Sequence, residues 1–404
     1  MNAQPPVLPV LAVTTAAQAL VALAMLTLPA IAPEMARDLG VPARLVGWWI
    51  SMAYGFAMLT SLMGATTVRR LGAARSTQIA LLLMAAGTLA NAVAWLPAVT
   101  AGAVLVGLGY GMTNPAASHL LARSTSPANR NLVFSVKQTG VPLGGTIAGL
   151  MAPPLTIAFG WQAAPAAVAL FAVALVAAIV PGRAGWDADR DPSAPLRAQP
   201  LEGLRQIWRS PALRGLSLSG FAYAAVQLSL STFLVTMLVA DLGWSLVEAG
   251  VLLSAVQVVG VVGRILSGVA ADKAFGGRLT LAGLGVTTAA FAAATGLMEA
   301  DWPTVAIYAV LVLYGAAALG WNGVYLAEVA HAAPADQIPR VTGASLFFTY
   351  GGVLVGPPAF AALQGMIGSY TATYALAAVP ALAGVALLLR RRGTVRSGTD
   401  CPVP

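Results

Sequence analysis

The chain of 404 residues carries little charge: Asp, Glu, Lys and Arg make up 9% of it, whereas 58% of its residues are apolar. A soluble domain is about 25% charged on average, since charged side chains cover its surface. The mean hydropathy of +0.80 therefore excludes a water-soluble enzyme, and the apolar fraction excludes a disordered or fibrous chain. Because a membrane-spanning helix needs about 20 apolar residues, the composition predicts a helical membrane protein with many spans.

Cysteine and histidine are also scarce, with one cysteine, Cys401, and two histidines in the whole chain. A single cysteine cannot form an internal disulfide, and no Cys/His cluster has the spacing of a metal site. The sequence also lacks paired intramembrane carboxylates, a nucleophile elbow and a phosphate-binding loop. We therefore expect no metal, no cofactor and no enzymatic activity.

Long apolar runs between short polar loops predict twelve membrane spans. The spans are residues 9–33, 45–67, 76–97, 99–122, 131–157, 162–181, 214–238, 246–271, 279–299, 302–330, 341–366 and 369–389. A longer polar stretch rich in Arg and Asp follows the sixth span. We predict an all-α membrane protein of two pseudo-symmetric six-helix halves: an N-terminal half (1–181), a cytoplasmic linker (182–213), a C-terminal half (214–393) and a cytoplasmic tail (394–404).

The basic residues are distributed unevenly around these spans. Eighteen of the 22 lysines and arginines fall on the side of the linker and both termini, and only Arg37 and Arg44 fall in loops on the other side. Lys and Arg concentrate in cytoplasmic loops, so both termini are predicted to be cytoplasmic. The net charge of +8 is thus a topology signal and not a nucleic-acid surface. No targeting segment is evident, and we expect a monomer in a bacterial inner membrane.

The two halves repeat one another in sequence. Gln18 corresponds to Gln227 and Asn114 to Asn322, at offsets of 209 and 208 residues. Repeated halves with a site between them, near the bilayer midplane, are typical of secondary transporters. Further matched pairs are Gly47 with Gly250, Ser51 with Ser254, Ser135 with Ser345 and Thr139 with Thr349.

Two loops at matching places share a pattern of glycines and charges: Gly268, Asp272, Lys273 and Arg278 follow the eighth span, and Arg69, Arg70 and Gly72 follow the second. This pattern is similar to the G-x-x-x-D-R/K-x-G-R/K motif of the major facilitator superfamily. One copy follows the eighth span and has one residue inserted before its glycine; the copy after the second span is degenerate, with Arg69 in place of the acidic residue. The chain resembles this superfamily along its whole length, which implies its twelve-helix fold and transport by alternating access.

The resemblance implies that the motif closes the cytoplasmic side. Asp272 would cap the fifth helix near Asn131, because a helix N-terminus carries about half a positive charge. Arg69 cannot do the same for the eleventh helix, so we expect an asymmetric inner gate. The alternative interpretation is that Asp272 only ends its own helix.

Two further stretches indicate subgroups of the superfamily. Arg264-Ile-Leu-Ser-Gly268 resembles the arginine of oxalate/formate and monocarboxylate transporters, and FSVKQTGVPLGG (134–145) resembles the cyanate-permease-like group. Drug/proton antiporters carry a longer glycine motif in the fifth helix, which this chain does not reproduce. The resemblance therefore favours a small anionic substrate.

Two cations, Lys137 and Arg264, fall inside predicted spans, where a charge costs about 2.5–3.5 kcal/mol at the centre. The fifth and eighth helices that hold them line the central cavity of the fold that the chain resembles. No acidic residue lies beside them in the sequence pattern, so the counter-ion would be the substrate. The alternative is that both long side chains reach the inner headgroups.

Other polar or aromatic residues inside the spans could line the same pocket, or could only join helices by hydrogen bonds. They are Gln18, Tyr54, Tyr110, Asn114, Gln138, Gln227, Gln257, Trp321, Asn322 and Tyr350. His119 and Glu328 are the candidates for proton coupling near the inner helix ends, although His119 could simply lie at the interface.

The main hypothesis is a secondary carrier for a small organic anion of the carboxylate class, driven by proton symport or anion exchange. Arg264 would clamp the carboxylate, and Lys137 would add a second contact. The first alternative is proton-coupled efflux of drugs or other amphiphiles. The second is a membrane sensor or scaffold that does not transport.

Overall fold

In a computed structural model, the structure describes residues 6–125, 133, 136–193, 201–333 and 338–390. The helices are α1 (Val7–Leu39), α2 (Val46–Leu71), α3 (Ala73–Asn91), α4 (Leu96–Ser124), α5 (Gly140–Phe159), α6 (Ala163–Ile179), α7 (Arg183–Trp186), α8 (Leu201–Arg209), α9 (Pro211–Ala240), α10 (Leu246–Ala270), α11 (Gly277–Thr295), α12 (Thr304–Gly320), α13 (Asn322–Ala332), α14 (Ile338–Ile367), α15 (Tyr370–Leu376) and α16 (Ala378–Leu389). Lys137 and Gln138 lie in a helical turn directly before α5.

The all-α membrane architecture predicted from the sequence is confirmed. Within the described residues, ten helical stretches are long and apolar enough to cross a membrane; α2 and α11 are not among them, so the number twelve stays a prediction. The predicted tenth and twelfth spans are each broken, at Trp321 and at Ala377. The tail 394–404 and the predicted contact partner Asn131 lie outside the described residues.

Small residues let the helices of each half approach closely. In the N-terminal half a Cβ atom at Gly144 of α5 would lie 2.0 Å from the carbonyl oxygen of Ala19 in α1. In the C-terminal half a Cβ atom at Gly352 of α14 would lie 2.0 Å from the carbonyl oxygen of Phe221 in α9. Lipid gives no hydrophobic drive between helices, so close van der Waals packing of this kind has to hold them together.

The two halves touch mainly at one end of the bundle, which we call the far side; the opposite end, where α6 ends and α9 begins, is the linker side. Ser51 of α2 donates to the carbonyl of Leu354 in α14. Ser254 of α10 donates to the carbonyl of Thr146 in α5, at 3.0 Å. These two side-chain hydrogen bonds join the halves at this end, so the structure is closed on the far side.

The inserted residue of the second loop motif has a structural counterpart. Residues Ala271–Phe275 form a π-helix, whose turn contains one more residue than an α-helical turn. Gly276 follows at φ 73°, as Gly72 follows α2 at φ 95° in the other half. This wider turn accommodates the inserted residue, so the start of α11 is equivalent to that of α3.

The linker contains a short amphipathic helix, α8, which lies against α14. Ile207 is fully buried, and Trp208 stacks on Phe348 of α14 with ring centroids 6.4 Å apart. The guanidinium of Arg214 lies 5.8 Å from the centroid of the Trp208 ring, within the range of a cation–π contact. The linker is thus attached to a helix that also reaches the polar centre of the bundle.

Candidate substrate-binding site

Lys137 lies at the centre of the N-terminal half with only 4% of its surface exposed. Its Nζ atom donates to Gln18 Oε1 at 2.7 Å, to Asn114 Oδ1 at 2.5 Å and to Gln138 Oε1 at 3.3 Å. An ammonium group has three protons and no acceptor, so neutral amide oxygens use its whole donor capacity. In the part of the chain that the structure describes, no carboxylate forms an ion pair with this cation.

The C-terminal half holds a matching cluster without a charge. Gln227 Oε1 of α9 accepts from Trp321 Nε1 at 2.9 Å and from Asn322 Nδ2 at 3.1 Å. Gln18 and Asn114 occupy the corresponding places around Lys137, as the sequence repeat predicts. The break between α12 and α13 at Trp321 brings the indole and the amide to the same acceptor.

Three tyrosines lie next to the Lys137 cluster. Tyr54 of α2 and Tyr110 of α4 pack edge to face, with ring centroids 5.3 Å apart. Tyr350 of α14 lies beside both rings and faces the side chain of Asn114. All three side chains are partly exposed. The site therefore combines one cation and aromatic surface from the N-terminal half with a tyrosine from the C-terminal half.

Arg264 is engaged differently from what the sequence suggests. Its Nε atom donates to the carbonyl of Leu319 at 3.0 Å, and Ser267 of the same helix donates to the carbonyl of Gly320 at 2.7 Å. Both carbonyls lie at the break between α12 and α13, where the regular helical hydrogen bonds stop. Arg264 thus contacts the break that orients Trp321 and Asn322 through one of its five N–H donors, and its role as the carboxylate clamp stays a prediction.

Gln257 belongs to the contact between the halves. It is 4% exposed, and its Nε2 atom donates to Ser231 Oγ at 3.4 Å. A Cβ atom at Gly145 of α5 would lie 2.8 Å from Gln257 Cγ, so the side chain packs directly on the other half. In this conformation Gln257 is buried in the closed far side and does not line an open pocket.

The linker-side ends of α2 and α3 are held by aspartates that follow α7. Asp187 accepts from the backbone N–H of Ala74 at 2.7 Å and of Arg75 at 3.3 Å, at the N-terminus of α3. Burial raises the pKa of the Asp187 carboxyl above its ordinary value, and these two backbone donors act in the opposite direction. Gly72 is required here, because a Cβ atom would lie 2.4 Å from the Asp187 carboxyl.

Asp191 and Asp189 also hold linker-side ends of helices, those of α2 and α4. Asp191 donates its N–H to the carbonyl of Arg69 at 2.8 Å, and its carboxylate lies 3.8 Å from the Arg69 guanidinium. Asp189 binds both His119, at 2.6 Å, and Arg123 of α4. The arginine that replaces the motif acid therefore pairs with the start of the linker, and His119 is held at the linker-side surface.

At the second loop motif, too, an acidic side chain lies at the start of the helix that follows. Glu328 of α13 lies 3.7 Å from the Arg278 Nε atom and packs against Gly277 at the start of α11. Asp272 and Lys273 are exposed within the π-helix. The two candidates for proton coupling thus contact charged groups on the linker side: His119 binds the Asp189 carboxylate, and Glu328 pairs with Arg278. Gly268, Arg70 and the other motif residues contribute no group to the polar centre.

The sequence patterns do not predict that Asp187, Asp189 and Asp191 hold the ends of helices. Their signal in the sequence is only their position, three aspartates at every second residue immediately after the sixth span. Nothing in that spacing identifies which helix each one meets, since the contacts join segments more than 60 residues apart.

Replacing Asp187 by Asn should destabilise the N-terminal half. The substitution removes the negative charge at the N-terminus of α3 and one of the two acceptor oxygens, a loss of about 1 kcal/mol. A thermal melt of the purified protein in detergent would measure it, with Asp301→Asn, an exposed residue in a far-side loop, as the control. Equal melting temperatures for Asp187→Asn and the unmodified protein would contradict the capping role.

The fold and sequence comparisons agree on the class of protein. The family model described as Major Facilitator Superfamily matches residues 14–357, and the chain therefore belongs to that superfamily. This confirms the resemblance drawn from the loop motifs; the two subgroups suggested by Arg264 and by residues 134–145 stay predictions. Its ten candidate spans in the described residues agree with membership of a family of multi-pass membrane proteins.

Individual relatives match only part of the chain, at 28–30% sequence identity. An uncharacterized MFS-type transporter of Mycobacterium tuberculosis (strain CDC 1551 / Oshkosh) is 28% identical over 291 residues, which cover 70% of this chain and 62% of the relative. The 4-hydroxybenzoate transporter PcaK of Acinetobacter baylyi is 30% identical over 133 residues, covering 33% of this chain and 29% of PcaK. The matches thus span less than two thirds of each relative's length.

Solved structures share the fold along nearly the whole chain. A peptide transporter POT in complex with sulfate superposes with a TM-score of 0.76 at 15% identity, covering 94% of this chain and 93% of that one. The human organic anion transporter MFSD10 (TETRAN) gives a TM-score of 0.67 at 19% identity, covering 95% of this chain and all of that one (100%). At these identities the likeness establishes the fold.

Proposed function

We propose that this transporter carries a small organic anion with a carboxylate group, and that Lys137 is its main binding residue. The observation that supports this is a buried ammonium group, between neutral amide oxygens, without a carboxylate partner in the described residues. A carboxylate would form a charge-assisted hydrogen bond with it, roughly twice as strong as a bond between neutral groups. The PcaK relative is named for 4-hydroxybenzoate, which is itself a carboxylate.

The proposed site would draw residues from both halves, as alternating access requires. Tyr350 comes from the C-terminal half, and the Ser51–Leu354 bond lies one helical turn of α14 toward the far side. Rocking of the halves would open that contact and expose the site to the opposite face. With the basic residues on the linker side, the linker and both termini are assigned to the cytoplasm of a bacterial cell.

The coupling follows from the same residues. The described groups around Lys137 are amides and tyrosines, while His119 contacts Asp189 and Glu328 pairs with Arg278 on the linker side. Exchange of one anion for another, or entry of the substrate together with its own proton, requires no acidic residue in the site. Both modes remain compatible with Lys137 as the anion contact.

A ligand screen tests the substrate class. Purified protein would be heated with formate, cyanate, lactate, oxalate, benzoate and several cationic drugs, since a ligand at 100 times its Kd stabilises by about 2.7 kcal/mol. We expect a carboxylate to raise the melting temperature and to drive counterflow in proteoliposomes. Stabilisation by cationic drugs alone would instead favour the efflux of amphiphiles.

A further inference from the structure

The hydrogen bonds of Lys137 are unequal, and one of them is exposed. The contacts to Gln18 and Asn114 are 2.7 and 2.5 Å, whereas that to Gln138 is 3.3 Å. Gln18 is 3% exposed, but the side chain of Gln138 is open. Lys137 itself is 4% exposed, so its longest and most exposed hydrogen bond, that to the Gln138 amide oxygen, is the one that an incoming anion would replace most easily.

The surface next to this position is aromatic. Tyr54 and Tyr110 present ring surface from the N-terminal half, and Tyr350 approaches from the C-terminal half beside Asn114. Tyr110 and Asn114 lie one turn apart on the same face of α4. Asn114 therefore connects the ammonium group to the tyrosines, and a ligand bound through Lys137 would have its body among the three rings.

We propose that the site selects an aromatic carboxylate, whose carboxylate displaces the Gln138 amide from Lys137 and whose ring packs among Tyr54, Tyr110 and Tyr350. Offset and edge-to-face contacts with planar rings favour an aromatic body over a saturated one of equal size. A carboxylate is a better partner for the ammonium than an amide oxygen, so the exchange is favourable. This assignment rests on the proposed function and adds the substrate class and the displaced group.

Benzoate and cyclohexanecarboxylate separate the two parts of the proposal, because they share charge and size but differ in planarity. In proteoliposomes, we expect benzoate to be taken up with a KM about tenfold lower than cyclohexanecarboxylate. Tyr54→Leu should abolish this preference, and Tyr54→Phe, which keeps the ring, should retain it. If Tyr54→Leu does not fold, Tyr110→Leu with Tyr110→Phe gives the same comparison.

Gln138→Leu tests the displacement. Removing the internal acceptor leaves Lys137 short of one hydrogen bond, so the KM for benzoate should fall, whereas a merely structural role of Gln138 would raise it or leave it unchanged. Equal KM values for the two acids, or a preference that survives Tyr54→Leu, would overturn the aromatic assignment while the carrier function stands. If uptake of both acids is independent of Lys137, the proposed function itself fails.

Discussion

Lys137→Met should abolish carboxylate transport while leaving the protein folded. Methionine has a similar length and no charge, and removal of one member of a buried charge pair typically costs 2–5 kcal/mol of binding, or about 100-fold in affinity. The free protein has no carboxylate against this cation in its described residues, so folding loses only bonds to neutral amides. Uptake and counterflow of benzoate in proteoliposomes, together with a thermal melt, would measure both effects.

Two variants make this result specific. Phe347→Leu changes the corresponding position of the C-terminal half, which carries no charge, and should keep most of the uptake. Arg264→Gln should lower the melting temperature, because the bond to the carbonyl of Leu319 is lost. The variant should still take up benzoate with a lower KM than cyclohexanecarboxylate. Full uptake by Lys137→Met would exclude this residue as the anion site, and loss of anion binding only in Arg264→Gln would assign the site to Arg264.

Gly149→Val should hold the far side open and stop transport. A Cβ atom at Gly149 of α5 would lie 2.3 Å from Ser254 Oγ and 2.4 Å from the carbonyl oxygen of Gly250, both on α10 of the other half. Backbone contact this close leaves no room for a branched side chain, so the closed far side cannot form. We expect substrate binding to persist but turnover to fall below detection.

Cysteine accessibility would report this conformation directly. The only native cysteine is Cys401, so Ser51→Cys in a Cys401→Ser background gives one buried label site at the far-side contact. Its reaction with a membrane-impermeant maleimide should rise in Gly149→Val. Gly283→Val is the matched control, since a Cβ atom there meets nothing within 4 Å. Unchanged labelling and normal uptake in Gly149→Val would contradict the prediction that close contact of α5 with α10 at Gly149 is needed to close the far side.

Much of the candidate site was predictable because the chain repeats itself. The matched pairs Gln18/Gln227 and Asn114/Asn322 indicate two equivalent clusters, and both form in the structure around Lys137 and around Trp321. A lysine in a span also signals a polar centre through its cost in lipid. Helix position and residue type carry this information without knowledge of the packing.

Other features depend on tertiary contacts that no local pattern encodes. The sequence shows Arg264 as an unpaired cation, whereas a broken helix provides its carbonyl partner. The break at Trp321 follows a long apolar run that contains a second glycine, Gly315, so Gly320 alone does not mark it. Likewise, Asp187 reads as part of a polar linker, and its role as a cap appears only when α3 and α7 are placed together.

The glycine contact on the far side means that substitutions in one half are constrained by the residues of the other half. Gly149 and Gly250 meet backbone to backbone, and Gly47 meets Pro357 in the equivalent contact of α2 with α14. A larger residue at one member of such a pair can be accommodated only if the opposite helix shifts or loses volume. Among homologues, side-chain volumes at positions 149 and 250 should therefore covary, and chimeras that combine halves from different carriers should function only when these pairs are inherited together.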